Sequence, residues 1–199
     1  MTWNRIAVVT VLAVCVLTAE QPGGFDGAKL GLFTHYTYAY PGYKYGWTHL
    51  APQSCQPVPD LNTLANSFDP QAFAETAASM RAEYVIFTLF HAQMNILYPS
   101  AYWERVLPGH TSSRDVIAEL IAALRARSIR LVLYFHPVDG LDFTPDQMER
   151  TGWNNYRGGV DVKPWNDLIN GLMEETGARY GKAVAGYWLD GGPKPPKFD

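Results

Sequence analysis

The sequence predicts an α/β protein built on a parallel sheet, and three observations predict it. The strand-like segments are apolar throughout rather than alternating, as in strands buried on both faces. Segments of helical period stand between them, giving the order β-α-β-α-β-α-β. Each strand-like run also closes on a polar residue, and a parallel sheet brings all such tips to one side.

AKLGLFTHY (28–36) reads as the first strand. A Tyr/Pro/Gly-rich stretch without clear period follows from Thr37 to Ser67. Its Tyr38, Tyr40, Tyr43, Tyr45 and Trp47, with Tyr36 before them, suit an ordered, ligand-lining loop, since linkers are poor in aromatics. FDPQAFAETAASMRA (68–82) reads as a helix with Asp69 as N-cap and Pro70 at the first helical position. Phe73, Ala77 and Met80 fall at helical spacing. EYVIFTLFH (83–91) has the length and β-branched, aromatic content of a buried strand. In SSRDVIAELIAALRARS (112–128), Val116, Leu120, Ala123 and Leu124 share one face of an amphipathic helix. IRLVLYFH (129–136) is the third strand. KPWNDLINGLMEETGARYG (163–181) is the next helix, with Leu168, Leu172 and Met173 inward, and AVAGYWLD (183–190) is the fourth strand.

The four tips are His35, His91, His136 and Asp190. The C-terminal rim of a parallel sheet carries the chemistry in both barrels and open α/β sheets. No glycine-rich phosphate fingerprint follows the first strand, which disfavours the nucleotide-binding version. Two chemistries use such a rim. In sugar cleavage a strand-tip carboxylate acts as nucleophile or base, while His, Tyr and Trp hold hydroxyls and ring faces. Alternatively, His35, His91, His136 and Asp190 could ligate a zinc-like ion in a metal-dependent hydrolase. The aromatic residues nearby favour the sugar. His49 and His110 lie in loops and receive no role.

With 199 residues and a net charge of −3, the chain reads as one domain with an apolar core, and no long Lys/Arg run marks a nucleic-acid partner. Arg5 followed by IAVVTVLAVCVL and TAEQPGG has the form of a secretory signal peptide over 1–19, too short to span a bilayer. The expectation is a secreted, periplasmic or extracellular protein over 20–199 with no membrane partner. A lipoprotein signal ending at Cys15 and a buried N-terminal element are the alternatives. Once 1–19 is removed, Cys55 has no internal partner for a disulfide.

Several of these segments, taken in order, resemble the catalytic domain of the α-L-fucosidases, retaining glycoside hydrolases of family 29. KLGLFTHY resembles the family's first strand, ending Phe-Ile-His-Trp. FDPQAFAETAASMRAEYVIFTLFH resembles its Phe-Asp-x-x-x-Trp helix and the next strand. LYPSAYW, RDVIAELIAALRARSIRLVLYF and YWLDGG resemble its Leu-Trp-x-Ser-x-Tyr segment, its Arg-Asp-Leu-Val-x-Glu-Leu helix and Leu-Tyr-Tyr strand, and its Trp-Phe-Asp-Gly strand end. The resemblance implies a TIM (β/α)8-type barrel, of which this chain holds the first four βα units, a half barrel. It implies a carbohydrate substrate and no cofactor or metal. Asp190 matches the nucleophile, His35 and His91 match histidines that bond sugar hydroxyls, and Tyr134, Trp188 and Trp47 match aromatic positions near the sugar.

Two departures qualify what the resemblance implies. The family's Lys-His-His-Asp-Gly-Phe is FHAQMN (90–95) here, so Ala92, Gln93 and Met94 replace a histidine, an acid and a glycine. A lost hydroxyl partner changes which sugar is accepted, and His136 offers a compensating contact. The family's general acid/base lies beyond its fourth strand and has no counterpart among these motifs. Asp139, Asp142 and Glu104 are loop acids that could substitute for it, although they read mainly as solvated surface charges. A carbohydrate-binding remnant without catalysis is therefore a further alternative, and open strands at both edges would allow a homodimer.

Overall fold

The computed structural model describes residues 27–38, 58–140 and 143–191. In chain order the elements are β1 Gly31–Thr34, α1 Leu61–Ser67, α2 Pro70–Ser79, β2 Tyr84–Phe90, α3 Ala101–Val106, α4 Val116–Arg125, β3 Arg130–Phe135, α5 Pro145–Thr151, α6 Trp153–Gly158, α7 Lys163–Tyr180 and β4 Gly186–Leu189. All strands are parallel, in the order β1-β2-β3-β4. The expected α/β fold with a parallel four-stranded sheet is present. Its order is sequential, without the reversal that opens the ligand crevice of a doubly wound sheet.

Register sorts the two faces. Val85, Phe87 and Leu89 of β2 and Leu131 and Leu133 of β3 lie on the helix-covered side, buried with Ala74 and Ala77 of α2, Val116, Leu120, Ala123 and Leu124 of α4, and Leu168 and Leu172 of α7. Ile86, Val132 and Tyr134 form a smaller cluster on the opposite side. Burial on both faces holds for the inner strands β2 and β3. It fails for β1 and β4, which among the described residues have a neighbour on one side only and leave Phe33 and Trp188 about half exposed.

Local signals set the helix ends. The Asp69 carboxylate accepts the Gln71 and Ala72 amides at 3.0 Å, with Pro70 opening α2. Ala74 joins Ala77 in the core in place of Met80, which is 54% exposed. Helix α4 begins at Val116 because the Asp115 carboxylate caps Ala118 at 2.8 Å. That carboxylate also receives the Tyr180 hydroxyl at 2.8 Å and the Arg179 guanidinium at 3.0 Å, tying α4 to α7. The stretch expected to lack period holds α1, capped by Asp60 and packed through Leu61, Leu64 and Ala65. The hydroxyls of Tyr36 and Tyr38 donate to Leu64 O and Pro59 O, both at 2.9 Å, so these tyrosines anchor α1 rather than line a ligand loop. Among the described residues no helix is long and apolar enough to cross a membrane. Residues 1–19, Tyr40, Tyr43, Tyr45, Trp47, His49, Cys55 and Asp142 lie outside the described residues.

Candidate active site

Parallel strands deliver the four predicted tips to one place. The ring centroids of His35 and His91 are 5.1 Å apart, and those of His91 and His136 are 5.0 Å apart. Tyr134 of β3 lies between them and the acid. Its ring stands edge-on to His35 at 4.6 Å and lies parallel to His91 at 5.6 Å, within 9°. Its hydroxyl donates to Asp190 Oδ2 at 2.6 Å.

Asp190 is held at both oxygens. Tyr134 takes Oδ2, and the Gly191 amide donates to Oδ1 at 2.6 Å. Its own amide continues the sheet by donating to Phe135 O at 2.8 Å. The Tyr134 hydrogen bond, the Gly191 amide and the nearby His136 and His91 hold this carboxyl below the usual carboxylate range, against a smaller effect of burial. Burial first, then the carboxylate, push the Tyr134 phenol upward, so it remains a donor. Gly191 has φ +80°, and a Cβ there would meet Val138 Cγ2 at 2.5 Å and the His136 ring at 3.2 Å. The first glycine after the acid is therefore required by both conformation and space.

The proton positions of His35 follow from its partner. Thr88 Oγ1 donates to Thr34 O at 3.2 Å and accepts the Tyr36 amide at 3.2 Å. Its single proton is thus committed, so the 3.1 Å contact with His35 Nδ1 requires the proton on the ring. Burial first, and then the positive potential of His91, lower the His35 pKa, which agrees with a neutral imidazole carrying Nδ1–H.

Asp139 corrects the sequence expectation of a solvated loop acid. It is 7% exposed, and its Oδ2 lies 2.9 Å from His91 Nδ1. The two atoms are within ion-pair distance but are not aligned as a hydrogen bond, and Asp139 Oδ2 is buried without a hydrogen-bond partner among the described residues. Glu104, expected in a loop, lies in the first turn of α3 and accepts the Gly109 amide and the Thr111 hydroxyl, both at 2.8 Å. His136 Nδ1 is buried without a hydrogen-bond partner among the described residues. Trp188 stands in register with Tyr134 and edge-on to Phe33 at 5.9 Å, 49% exposed.

Past His91 the chain turns through two consecutive residues of left-handed conformation, Gln93 at φ 59° and Met94 at φ 54°. Neither is glycine and both are buried, so the turn carries strain that its surroundings must hold. The Met94 amide donates to His91 O at 2.8 Å, and Trp103 Nε1 donates to Met94 O at 2.8 Å. His110, given no role from the sequence, reaches Gln93 O with Nδ1 at 2.7 Å.

The assembled group offers an ionised carboxylate with two fixed donors, imidazoles to meet hydroxyls, and an exposed indole beside it. Among the described residues no three His, Cys, Asp or Glu side chains are grouped so as to hold a metal ion.

Comparison with known proteins gives a consistent answer. The alpha-L-fucosidase family profile matches residues 16–198. The tissue alpha-L-fucosidase of Rattus norvegicus is 32% identical over 147 residues, which cover 61% of this chain and 32% of that protein. The Homo sapiens enzyme is 30% identical over the same shares. This chain therefore spans about a third of the length of these relatives. Among solved structures, a Thermotoga maritima alpha-fucosidase aligns with 83% of this chain and 46% of its own, at a TM-score of 0.52 and 19% identity. An endo-fucoidan hydrolase of glycoside hydrolase family 107 aligns with 82% and 43%, at 0.54 and 20%. These two likenesses speak for the fold, a parallel α/β sheet like those of fucosidase catalytic domains.

Proposed function

The chain belongs to the alpha-L-fucosidase family, and from that premise we propose that it serves the retaining hydrolysis of a fucosylated glycan or related glycoside, with Asp190 as nucleophile. The observation that carries the reading is the Asp190 carboxylate at the tip of β4, fixed by Tyr134 and Gly191 among three imidazoles. In this reading an Asp190 oxygen forms a bond to the anomeric carbon as the bond to the leaving oxygen breaks. A second carboxyl group, outside the described residues, protonates that oxygen and later takes a proton from the water that releases the sugar. His35 and His91 hold hydroxyls, Trp188 and Trp47 cover the ring, and His136 supplies the contact that Ala92 cannot. The four strands form the first half of a barrel wall, which their sequential parallel order supports.

The test is turnover of an aryl α-L-fucoside together with calorimetric titration of L-fucose. Expected are binding and turnover by the chain, with turnover abolished and binding retained in Asp190→Asn. Turnover unaffected by that substitution removes Asp190 as nucleophile. The replacement of His and Asp by Ala92 and Gln93 favours a second reading, sugar binding without cleavage; binding with no turnover would select it. Residues 1–19 lead us to place the protein outside the cytoplasm, and a mature N-terminus at Glu20 in exported protein would be the result that supports this.

A further inference from the structure

The turn after His91 is held by a side chain whose proton positions are set from a distant helix. Helix α5 opens with Thr144-Pro145-Asp146-Gln147 and forms a capping box: the Gln147 amide reaches Thr144 Oγ1, and Gln147 Oε1 accepts the Thr144 amide at 2.9 Å. That second bond fixes which end of the Gln147 side chain is oxygen. Its nitrogen then faces His110 Nε2 at 2.9 Å and can only donate. His110 Nε2 must accept, so the ring proton sits on Nδ1. Independently, Nδ1 lies 2.7 Å from Gln93 O, a carbonyl that can only accept. Both ends of the ring demand the same tautomer.

We infer that His110 is a positioning residue for the strained turn that carries His91, acting only as the neutral Nδ1–H tautomer that the α5 capping box imposes. Protonation would set N–H against N–H at Gln147, and Gln147 cannot turn over without releasing its helix cap. Around the ring, Phe143 lies edge-on at 6.4 Å, and among the described residues Glu104 of α3 is the charged group acting on it. Burial, the largest influence, lowers the His110 pKa, while the Gln93 carbonyl and Glu104 oppose it. Acid therefore loosens the turn by forcing a proton onto Nε2. In the family pattern a glycine stands where Met94 is, so here the turn depends on such clasps. That the turn serves a sugar rests on the function proposed above; the clasp itself does not.

The chain, labelled with ¹⁵N-histidine, is titrated by long-range ¹H–¹⁵N correlation as wild type, His110→Ala, His110→Asn and Gln147→Glu. Glutamate keeps the capping box but can only accept from His110 Nε2. Expected are a wild-type ring with its proton on Nδ1 and a titration below that of an exposed histidine. Gln147→Glu should move that titration upward, to a ring protonated at both nitrogens. Exchange of the Met94 amide should quicken by about tenfold in His110→Ala and be partly restored in His110→Asn, whose amide can still donate. A wild-type proton on Nε2, an unmoved titration in Gln147→Glu, or unchanged Met94 exchange in His110→Ala would each overturn the inference. A chain that binds no L-fucose yet shows these three results overturns the proposed function alone.

Discussion

Replacing Met94 by alanine and by glycine separates two opposing contributions at the turn behind His91. Met94 is fully buried, so truncation to alanine should cost about 2–5 kcal/mol. Glycine removes one further carbon, worth about 0.8 kcal/mol when buried, and adds roughly 0.5–1 kcal/mol of backbone entropy. In exchange it releases the left-handed strain at φ 54°, about 1–2 kcal/mol. The two effects nearly cancel, and the glycine and alanine variants should lie within about 0.5 kcal/mol of each other. Ala123 in the interior of α4 is the control, equally buried but with no strain to release. Ala123→Gly should cost the full sum, about 1.5 kcal/mol, which is of the order of 1 M in urea midpoint. Equilibrium urea denaturation of all four proteins reads the difference directly. If Met94→Gly lies below Met94→Ala by as much as Ala123→Gly lies below wild type, the turn stores no strain and the reasoning fails.

Tyr134→Phe removes the largest influence on Asp190, so the Asp190 carboxyl should titrate at higher pH than in wild type when followed by carboxyl ¹³C shifts. A depressed carboxyl stabilises the fold above its unfolded pKa and loses that contribution as pH falls through the folded value. The stability gap between wild type and Tyr134→Phe should therefore be largest near neutrality and shrink in acid; a gap independent of pH would contradict the assignment. Thr88→Val keeps the shape of the side chain but strands the Tyr36 amide and the Thr34 carbonyl. It should cost about 1–3 kcal/mol and let His35 exchange tautomers, visible in its ¹⁵N shifts; an unchanged His35 tautomer would show that Thr88 does not set it.

The four strands and the α2, α4 and α7 helices were legible because each carries a pattern that burial alone dictates. β2 and β3 are continuous apolar runs, and α4 repeats its core residues at helical spacing. The polar tips were legible for the same reason, since each ends a run whose direction the parallel order fixes. The short helices were not. Helix α1 is seven residues inside a stretch dominated by Tyr, Pro and Gly, although Asp60 with Leu61, Leu64 and Ala65 is a capped helical repeat. Helix α5 likewise announces itself through Thr144 and Gln147, a capping box that pattern-reading of apolar residues passes over. The partners of the site were beyond reach for a different cause. Asp139 beside His91, Thr88 beside His35 and His110 beside Gln93 are separated by 48, 53 and 17 residues in the chain and meet only once the sheet exists. A loop acid looks solvated until its neighbour is known.

Among the described residues β1 and β4 pair on one side only, and this leads to a prediction about association. Leu30, Phe33, Tyr187, Trp188 and Leu189 sit on β1, β4 or beside them, with Leu189 59% exposed. Beside β4, a groove of about 480 Å³ is lined by Phe135, Ile169, Met173 and Leu189; beside β1, one of about 280 Å³ is lined by Tyr36, Phe68 and Phe73. Covering five half-exposed large side chains contributes roughly 4–7 kcal/mol. Association costs about 4–15 kcal/mol in lost freedom before any contact is made, so apolar burial alone gives little net affinity. Backbone bonds along a shared edge add about 0.5–1.5 kcal/mol each, enough for weak binding. The chain should therefore sediment as a monomer at micromolar concentration and associate reversibly as concentration rises toward the millimolar range. Leu189→Lys places a charge on the β4 edge, the usual block to edge pairing, and should return it to monomer. Association that ignores Leu189→Lys would locate the contact elsewhere. A monomer at every concentration would mean that these edges are already covered.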